Sequence, residues 1–460
     1  MIVNEHNKVS GSFRDPSGFL FWHEGNLYRQ INQIYRDNYD QLMDSGLYKK
    51  LVDMDLLIPH TETALESGEK DSYKIIKPKK IPFISYPYEW SFSQLKDAAL
   101  TTLDLMKVAF KFGMTLKDAS AYNLQFIGNK AIFIDTLSFE IYKIDQPWVA
   151  YRQFCQHFLA PLALMSYSDI RLNQLLKTYI DGIPLDLAAS LLPYKTKFKP
   201  GLATHIHFHA KSQSHYAGQS MNKTNAKFSK MAFQGLIDSL KSVVEKLTWQ
   251  PDSSAWSRYY EENNYSDQAL EHKKQIVSSF IDKKKPAMVW DLGANTGVFS
   301  RLTADKGLDT IAFELDPVCN EINYRECQNE GSSRILPLLQ DLSNPSPGIG
   351  WNNKERNTLS ERGPADLVLA LALIHHIAIT NNVPFDMIAE FLSEIAISLV
   401  IEFVPKEDEQ LQRLLVLKED VFSDYSSEQF VKSFKKYFHI EDSVKIADTK
   451  RTVYLMVRKT

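Results

Sequence analysis

Carboxylates and glycines in the second half of the sequence have the types and the spacing that binding a nucleotide-like ligand requires. Asp291 ends an apolar stretch and is followed by a tight turn that contains Gly293, Asn295 and Gly297. Glycines let a backbone turn sharply and approach a ligand, and the first N–H groups of the following helix are unpaired. Glu314 comes about twenty positions later, where a carboxylate can bind the hydroxyls of a ribose. The pattern predicts a nucleotide cradle; an ordinary strand–turn–helix is the alternative.

Five apolar stretches must position these residues at one edge of a sheet. We predict strands over 288–292, 309–313, 335–339, 365–373 and 397–401. Polar residues follow the strands directly, and they include Asp341, the pair His375–His376, and Glu402. Open α/β sheets bind their ligands outside the carboxyl ends of the strands. The sequence therefore predicts an α/β fold whose functional residues share one sheet edge.

The turn from Asp291 to Gly297 resembles the first motif of the class I S-adenosylmethionine (SAM)-dependent methyltransferases. Asn295 stands where glycine is commoner, and Asn tolerates left-handed backbone angles better than most residues. The resemblance covers roughly residues 255–460 and implies a Rossmann-like sheet of seven strands, the last antiparallel, closed by a hairpin of 444–447 and 452–457. It implies SAM as cofactor, bound by Asp291, Gly293, Ala294, Asn295, Gly297, Glu314, Leu315, Asp341, Leu342 and Leu371. A dinucleotide oxidoreductase fits less well, because the turn lacks a third glycine.

Three residues are candidates for catalysis. Methyl transfer is an in-line displacement, in which a protein positions the acceptor and removes its proton. His375 and His376 follow the fourth strand of the predicted sheet, and an imidazole is a suitable base near neutral pH. Glu402, after the fifth strand, is the other candidate for a base or an anchor of the acceptor. The alternative for the histidines is that they only line or cap a helix.

A second constellation lies in the N-terminal half. Asp118 and Asn123 share one loop, and Asp135 ends the apolar strand that follows. This spacing resembles the catalytic loop and metal-binding Asp of the protein-kinase-like fold, with Arg29 in the place of the phosphate-pairing Lys. The resemblance implies an α+β kinase-like domain and leaves Mg-ATP open as a second ligand. The glycine-rich loop and the Phe-Gly after Asp135 are missing, so the alternative is that these residues only pin tight turns.

Local patterns predict further elements of the N-terminal half. The apolar spacing predicts strands over 18–22 and 27–31, a helix over 34–55, and two strands over 73–76 and 83–86. Ser91 or Ser93 is expected to cap a long helix that runs to Phe112. His205, His207 and His209 would share one face of a strand and offer a metal site; a polar strand face or a loop is the alternative, and we assign no metal.

Length and composition bound the remaining expectations. At 460 residues, the chain is divided into a kinase-like domain over 1–215, a linker and helix over 216–254, and a methyltransferase domain over 255–460. In the last of these, the Tyr-rich segment 256–266 is expected to cover the cofactor or to pack between domains. A net charge of −3 argues against general nucleic-acid binding. Three cysteines without metal-type spacing, the absence of a signal-like N-terminus and the absence of a long apolar run predict a cytoplasmic protein without a membrane segment.

The two constellations together are similar to those of bacterial methyltransferases related to nodulation protein NoeA. The similarity spans nearly the whole chain and includes the sequence around Asp118 and Asp135, the glycine turn, Leu-Ile-His-His and Ile-Glu-Phe-Val-Pro. It implies methyl transfer from SAM to a hydroxyl or amine of a small molecule, with a carbohydrate-derived acceptor as first candidate. A bifunctional kinase–methyltransferase and a non-catalytic regulator that binds SAM or a nucleotide remain as alternatives. The oligomeric state is not predicted.

Overall fold

The structure, a computed structural model, describes residues 7–208, 228–251, 266–416, 422 and 424–459. It divides into two compact units. The first comprises Met1–Gln250 together with Gly348–Arg356, and the second comprises Pro251–Pro347 with Asn357–Thr460. The division at Gln250 lies close to the predicted start of the C-terminal domain, but the short segment from the middle of the second half belongs to the first unit. Most of the predicted covering segment, residues 256–265, and His209 lie outside the described residues.

The first unit contains a four-stranded antiparallel sheet in the order β1-β2-β4-β3 and two small two-stranded sheets, β5-β8 and β6-β7. The predicted ribbon is confirmed by β1 and β2, and the strand predicted over 73–76 is confirmed within β4. Its strands are β1 Gly18–His23, β2 Asn26–Asn32, β3 His60–Glu62, β4 Ser72–Pro78, β5 Met114–Leu116, β6 Leu124–Ile127, β7 Lys130–Phe133 and β8 Phe139–Ile141.

The strand predicted over 83–86 is absent, and a side chain explains why. The backbone N–H of Ser85 donates to Gln125 Oε1 at 2.9 Å, and the Gln125 amide donates back to the Ser85 carbonyl at 2.9 Å. This pair satisfies the backbone groups that a strand would need to offer to a neighbour. The buried Gln125 side chain therefore replaces a strand partner.

Helices of the first unit follow the predicted patterns with two corrections. The helix predicted over 34–55 is broken at Gly46, whose φ of 79° is left-handed. The segment with His205 and His207 is a π-helical turn, Ala203–Phe208, and not a strand. Ser91 caps the long helix as predicted and accepts from the N–H of Gln94. The helices are α1 Arg36–Asp44, α2 Leu47–Asp53, α3 Phe92–Lys111, α4 Tyr151–Phe154, α5 Ala160–Tyr167, α6 Leu175–Thr178, α7 Leu185–Leu191, α8 Pro200–Leu202 and α9 Lys230–Lys246.

The second unit is an α/β domain with a mixed seven-stranded sheet in the order β11-β10-β9-β12-β13-β15-β14. The first five strands are parallel, and β15 pairs antiparallel with both β13 and β14. The number of strands agrees with the prediction, but the strand expected over 444–447 lies earlier, at Phe438–Lys445, and residues 446–451 form the turn that leads into the last strand. The strands are β9 Met288–Leu292, β10 Asp309–Glu314, β11 Ile335–Leu339, β12 Ala365–Ala370, β13 Ala396–Phe403, β14 Phe438–Lys445 and β15 Thr452–Arg458.

Strand β12 ends at Ala370 and not at Leu373, because Ala372 has a φ of 50° in the left-handed region. A non-glycine residue in that region is rare and turns the chain out of the strand. The helices of this unit are α10 Asp267–Lys284, α11 Val298–Ala304, α12 Pro317–Glu330, α13 Phe385–Ile395, α14 Glu409–Val416 and α15 Ser427–Tyr437. Val289, Leu367, Val400 and Leu455 of the sheet form an apolar core with Phe280 of α10, and this core fixes the sheet edge.

Candidate cofactor and acceptor site

The glycine turn of the second unit is held against the neighbouring strand by backbone hydrogen bonds. The N–H groups of Gly293 and Ala294 both donate to the carbonyl of Phe313 at 2.9 Å. Gly293, Asn295 and Gly297 have positive φ values of 71°, 53° and 87°, so Asn295 adopts the left-handed conformation that its residue type tolerates. A Cβ on Gly293 would lie 3.2 Å from the side chain of Leu373, so the turn has little room beside the strand ends.

Glu314 lies at the carboxyl end of β10 and joins the turn to the next helix. Its Oε2 accepts from the N–H of Asn295 at 2.7 Å, and its Oε1 accepts from the N–H of Asp316 at 2.9 Å. Burial raises the pKa of this carboxyl to about 7, although both N–H donors favour the ionised form. Each carboxylate oxygen has a second lone pair that can accept from a ligand hydroxyl.

Asp291 is buried under the turn and has its own support. Ser300 Oγ donates to Asp291 Oδ2 at 2.6 Å. Burial raises the pKa of this carboxyl to about 6, against the effects of Ser300 and of the Lys273 ammonium. Asp291 therefore orders the start of α11 and places a carboxyl group directly beneath the turn.

The third strand end carries Asp341, whose Oδ1 accepts from the backbone N–H and the hydroxyl of Ser343 at 2.8 and 2.6 Å. Of the other predicted cofactor contacts, Leu315 is 61% exposed, while Leu371 is buried among the core residues. The structure thus brings Asp291, Glu314 and Asp341 to the same edge of three adjacent parallel strands.

The two histidines lie at the end of β12, where a π-helical turn, His376–Thr380, begins. Their rings are 4.1 Å apart. Burial, and then the charge of Arg451, lowers the pKa of His376 to about 4; burial lowers the pKa of His375 well below its usual range. Both imidazoles are therefore neutral at pH 7. His375 Nδ1 is buried without a hydrogen-bond partner among the described residues, so it is available as a proton acceptor.

Glu402 is fully buried at the end of β13 and is bound by two cations. Lys273 Nζ lies 2.6 Å from one oxygen and an Arg451 nitrogen 3.3 Å from the other. Arg451 also binds Asp408 at 2.7 Å, and the Lys273 ammonium lies over the Phe299 ring at 4.9 Å. Both of its oxygens are engaged by buried cations, which favours a positioning role for Glu402 over proton transfer.

The four residues predicted for the kinase-like cleft converge in the first unit. A side-chain hydrogen bond joins Asp118 to Asn123, whose amide donates to Ser138 Oγ at 3.1 Å. The Ser138 hydroxyl donates to Asp135, and Arg29 forms an ion pair with the same carboxylate. Burial raises the pKa of Asp118, and the charge of Asp135 contributes in the same direction. The constellation is thus one hydrogen-bonded cluster; whether it has a kinase-like fold or activity stays a prediction.

His205 and His207 are buried and engaged with other polar groups. His205 Nδ1 lies 2.7 Å from the Tyr151 hydroxyl, and His207 Nε2 lies 2.9 Å from Thr196 Oγ1. Within the described ranges, no group of three or more His, Cys, Asp or Glu side chains could hold a metal ion. Across the same ranges, no helix has the length and the apolar character needed to cross a membrane.

Comparison with known proteins gives a full-length relative. No family model matches this sequence. Nodulation protein NoeA of Rhizobium meliloti (strain 1021) is 35% identical over 465 residues, covering 98% of this chain and 96% of that protein. The chain belongs to the NoeA family.

Solved structures similar to this NoeA-family chain include two of named function. Magnesium protoporphyrin IX methyltransferase (ChlM) from Synechocystis PCC 6803, with bound SAH, is 16% identical over 44% of this chain and 93% of that chain, with a TM-score of 0.32. The bifunctional kinase–methyltransferase WbdD is 14% identical over 44% of this chain and 41% of that chain, with a TM-score of 0.30.

Sequence reasoning on this NoeA-family chain missed Lys273 and Arg451. Lys273 lies within α10, and its type predicts an exposed position on a helix. Only the fold brings it to Glu402, because the two residues are far apart in sequence. The one available signal was Glu402 itself, since a carboxylate at the end of an apolar strand needs a cation if it is buried.

Proposed function

We propose that the chain is a cytoplasmic SAM-dependent methyltransferase that acts on a hydroxyl or amine of a small molecule, with a carbohydrate-derived acceptor as first candidate. The observation that carries this proposal is the pairing of Glu314 with the glycine turn. The Glu314 carboxylate accepts a hydrogen bond from the N–H of Asn295 and lies at the end of β10, the strand next to β9. It therefore presents the turn and a diol-binding acid as a single preorganised surface.

The residues at this edge fit the cofactor that the sequence predicts. The turn at Gly293 offers backbone close to a ligand, and Asp291 beneath it offers a carboxylate for a positively charged amino group. Glu314 offers lone pairs to a ribose diol, and Asp341 offers a carboxylate to an adenine amino group. When bound, SAM would supply an electrophilic methyl group at its sulfonium.

In the proposed reaction, His375 and His376 bind the methyl acceptor. A neutral imidazole can hold the hydroxyl or amine of the acceptor by one hydrogen bond and take its proton as the methyl group is transferred. The unpartnered Nδ1 of His375 supports this role, although its low pKa makes it a weak base before ligands bind. Glu402, held by Lys273, would fix the neighbouring backbone.

For the first unit, we propose a kinase-like fold that serves acceptor recognition or docking. The convergence of Asp118, Asn123 and Asp135 favours the fold. The engagement of Asp135 by Arg29 and Ser138 argues for a docking role over phosphoryl transfer, because a Mg²⁺ site needs free carboxylate oxygens. A bifunctional kinase–methyltransferase is the second candidate, and a regulator that binds SAM without catalysis is the third.

Radiolabelled methyl transfer from SAM into fractionated cell extract tests the proposal. Label in a small-molecule fraction with the parent protein, and its loss with Glu314→Ala, would support methyl transfer. Binding of SAM by calorimetry without transfer to any fraction would favour the regulator. A parent protein that shows neither SAM binding nor methyl transfer would refute the proposal.

A further inference from the structure

A short segment of the second half of the sequence belongs to the first unit. The chain leaves the second unit after Pro347 and returns to it at Asn357, and the residues between, Gly348–Arg356, form part of the first unit. We call them the latch segment. It folds back on itself, since the N–H of Glu355 donates to the carbonyl of Ile349 at 3.0 Å. The segment is therefore a compact turn and not an extended linker.

The latch segment holds residues 10–17, which precede β1 and which we call the N-terminal loop. Arg14 Nε donates to both oxygens of Glu355 at 2.9 and 3.1 Å, and its NH2 lies 2.8 Å from Oε1. The hydroxyl of Ser10 donates to the carbonyl of Lys354 at 2.6 Å. The Glu355 side chain is 1% exposed and that of Arg14 is 54% exposed. Burying the Glu355 carboxylate without a cation would cost free energy, so the ion pair with Arg14 stabilises the contact between the latch segment and the N-terminal loop.

Shape as well as charge fits the two segments together. A Cβ added to Gly11 would lie 2.4 Å from the carbonyl oxygen of Glu355. A Cβ added to Gly350, whose φ is +81°, would lie 2.6 Å from the side chain of the same residue. Both glycines thus permit an approach that any larger residue would block.

Both segments also reach the loop 117–123, which carries Asp118 and Asn123 and which we call the cleft loop. The guanidinium of Arg356 lies 4.4 Å above the Tyr122 ring. Lys117 Nζ lies 3.3 Å from Asp15 of the N-terminal loop and donates to Ser17 Oγ at 2.6 Å. The N-terminal loop is therefore fixed on one side by the cleft loop and on the other by the latch segment.

We propose that Gly348–Arg356 is a latch that holds the N-terminal loop closed on the cleft loop of the first unit, and that opening of this contact is transmitted along the chain to the connection 340–347. A ligand that binds at either end of the latch would then shift the conformational equilibrium at the other end, since coupling between two sites is reciprocal.

Contacts at the base of the latch segment supply the route along the chain. In the second unit, the N–H of Leu359 donates to the carbonyl of Ser346 at 3.0 Å. This hydrogen bond joins the stretch of chain before the latch segment to the stretch after it. The Ser346 hydroxyl donates to Gln340 Oε1 at 3.0 Å, and Gln340 is directly followed by Asp341. A movement of the latch segment would therefore displace Ser346 and Gln340, and Gln340 is next to the predicted cofactor contact Asp341.

Amide hydrogen exchange on the full chain tests the latch in two independent variants. Glu355→Gln removes the charge, and Gly11→Ala introduces the close Cβ contact without changing any charge. Each should speed exchange by about tenfold or more in the N-terminal loop and in 340–347, since each disrupts a closed contact of the size of a charged hydrogen bond. Exchange in β2 and β4 should stay at the parent rate, which shows that the unit remains folded.

Matched controls separate the latch from general damage. Lys354→Ala keeps the carbonyl that Ser10 uses and removes an exposed side chain, and Gly235→Ala adds a Cβ where nothing lies within 4 Å. Both controls should exchange as the parent does. Parent-like exchange of the N-terminal loop in both test variants would overturn the latch, and faster exchange there without any change over 340–347 would overturn the transmission.

Discussion

Glu314 gives the most quantitative prediction about the cofactor edge. Its carboxylate receives backbone N–H groups at 2.7 and 2.9 Å, and its remaining lone pairs can accept from a ligand diol. Two hydrogen bonds to a charged group are worth about 1.5–3 kcal/mol each. Glu314→Ala should therefore weaken SAM binding by roughly 3–6 kcal/mol, or about a hundredfold to ten-thousandfold in Kd. Glu314→Gln keeps the shape and one acceptor oxygen, so its loss should be smaller.

The same residue predicts a pH dependence. Burial raises the pKa of the Glu314 carboxyl from its ordinary value of 4.5 to about 7, so between these pH values the folded protein holds a proton that the unfolded chain releases. Its contribution to stability is therefore favourable at low pH and falls as the pH rises from about 4.5 to about 7. SAM binding through the carboxylate should follow the opposite trend and strengthen up to about pH 7. Glu314→Gln should remove both dependences.

Isothermal calorimetry with SAM between pH 5.5 and 8.5 measures this prediction. Asp309→Asn is the matched control, because Asp309 begins the same strand at the opposite edge and pairs there with Arg334 at 2.9 Å. The control should bind as the parent does. Binding by Glu314→Ala within about a factor of two of the parent would refute the assigned role and direct attention to Asp316.

Three further predictions concern the turn, the buried charges and the first unit. Gly293→Val forces a branched side chain into a left-handed position beside Leu373, and calorimetry on the folded variant should show no SAM binding; undiminished binding would exclude the turn as the cofactor site. Lys273→Met leaves the Glu402 carboxylate with one cation, and denaturant unfolding should show a loss of about 3–5 kcal/mol, whereas a loss below about 1 kcal/mol would show that the pair matters little. The parent should not turn over Mg-ATP, and a turnover that disappears in Asp135→Ala would contradict the docking role.

Residues whose position depends on strand ends could be predicted from the sequence. The positions of Asp291, Glu314 and Asp341 follow from apolar strands of the right length, because all parallel strands end at one edge. The left-handed conformation of Asn295 follows from its residue type. Here, the periodicity and the turn chemistry agree with the fold.

Features that depend on distant side chains could not be predicted. The strand expected over 83–86 does not form, because the Gln125 side chain takes up the hydrogen bonds of the Ser85 backbone. No local sequence pattern indicates that contact. The pairing of Lys273 with Glu402 likewise needs the whole sheet in place. The segment of the second half that joins the first unit has no sequence signal beyond its glycines, since its partner Arg14 lies near the other end of the chain.

Transfer of labelled methyl from SAM into a small-molecule fraction of cell extract tests the central claim most directly. The account predicts label in a fraction that also contains a hydroxyl or amine compound, with its loss in both Gly293→Val and Glu314→Ala and its retention in Asp309→Asn. Label that persists in Gly293→Val and Glu314→Ala, or a parent protein that neither binds SAM nor transfers its methyl group, would contradict the account.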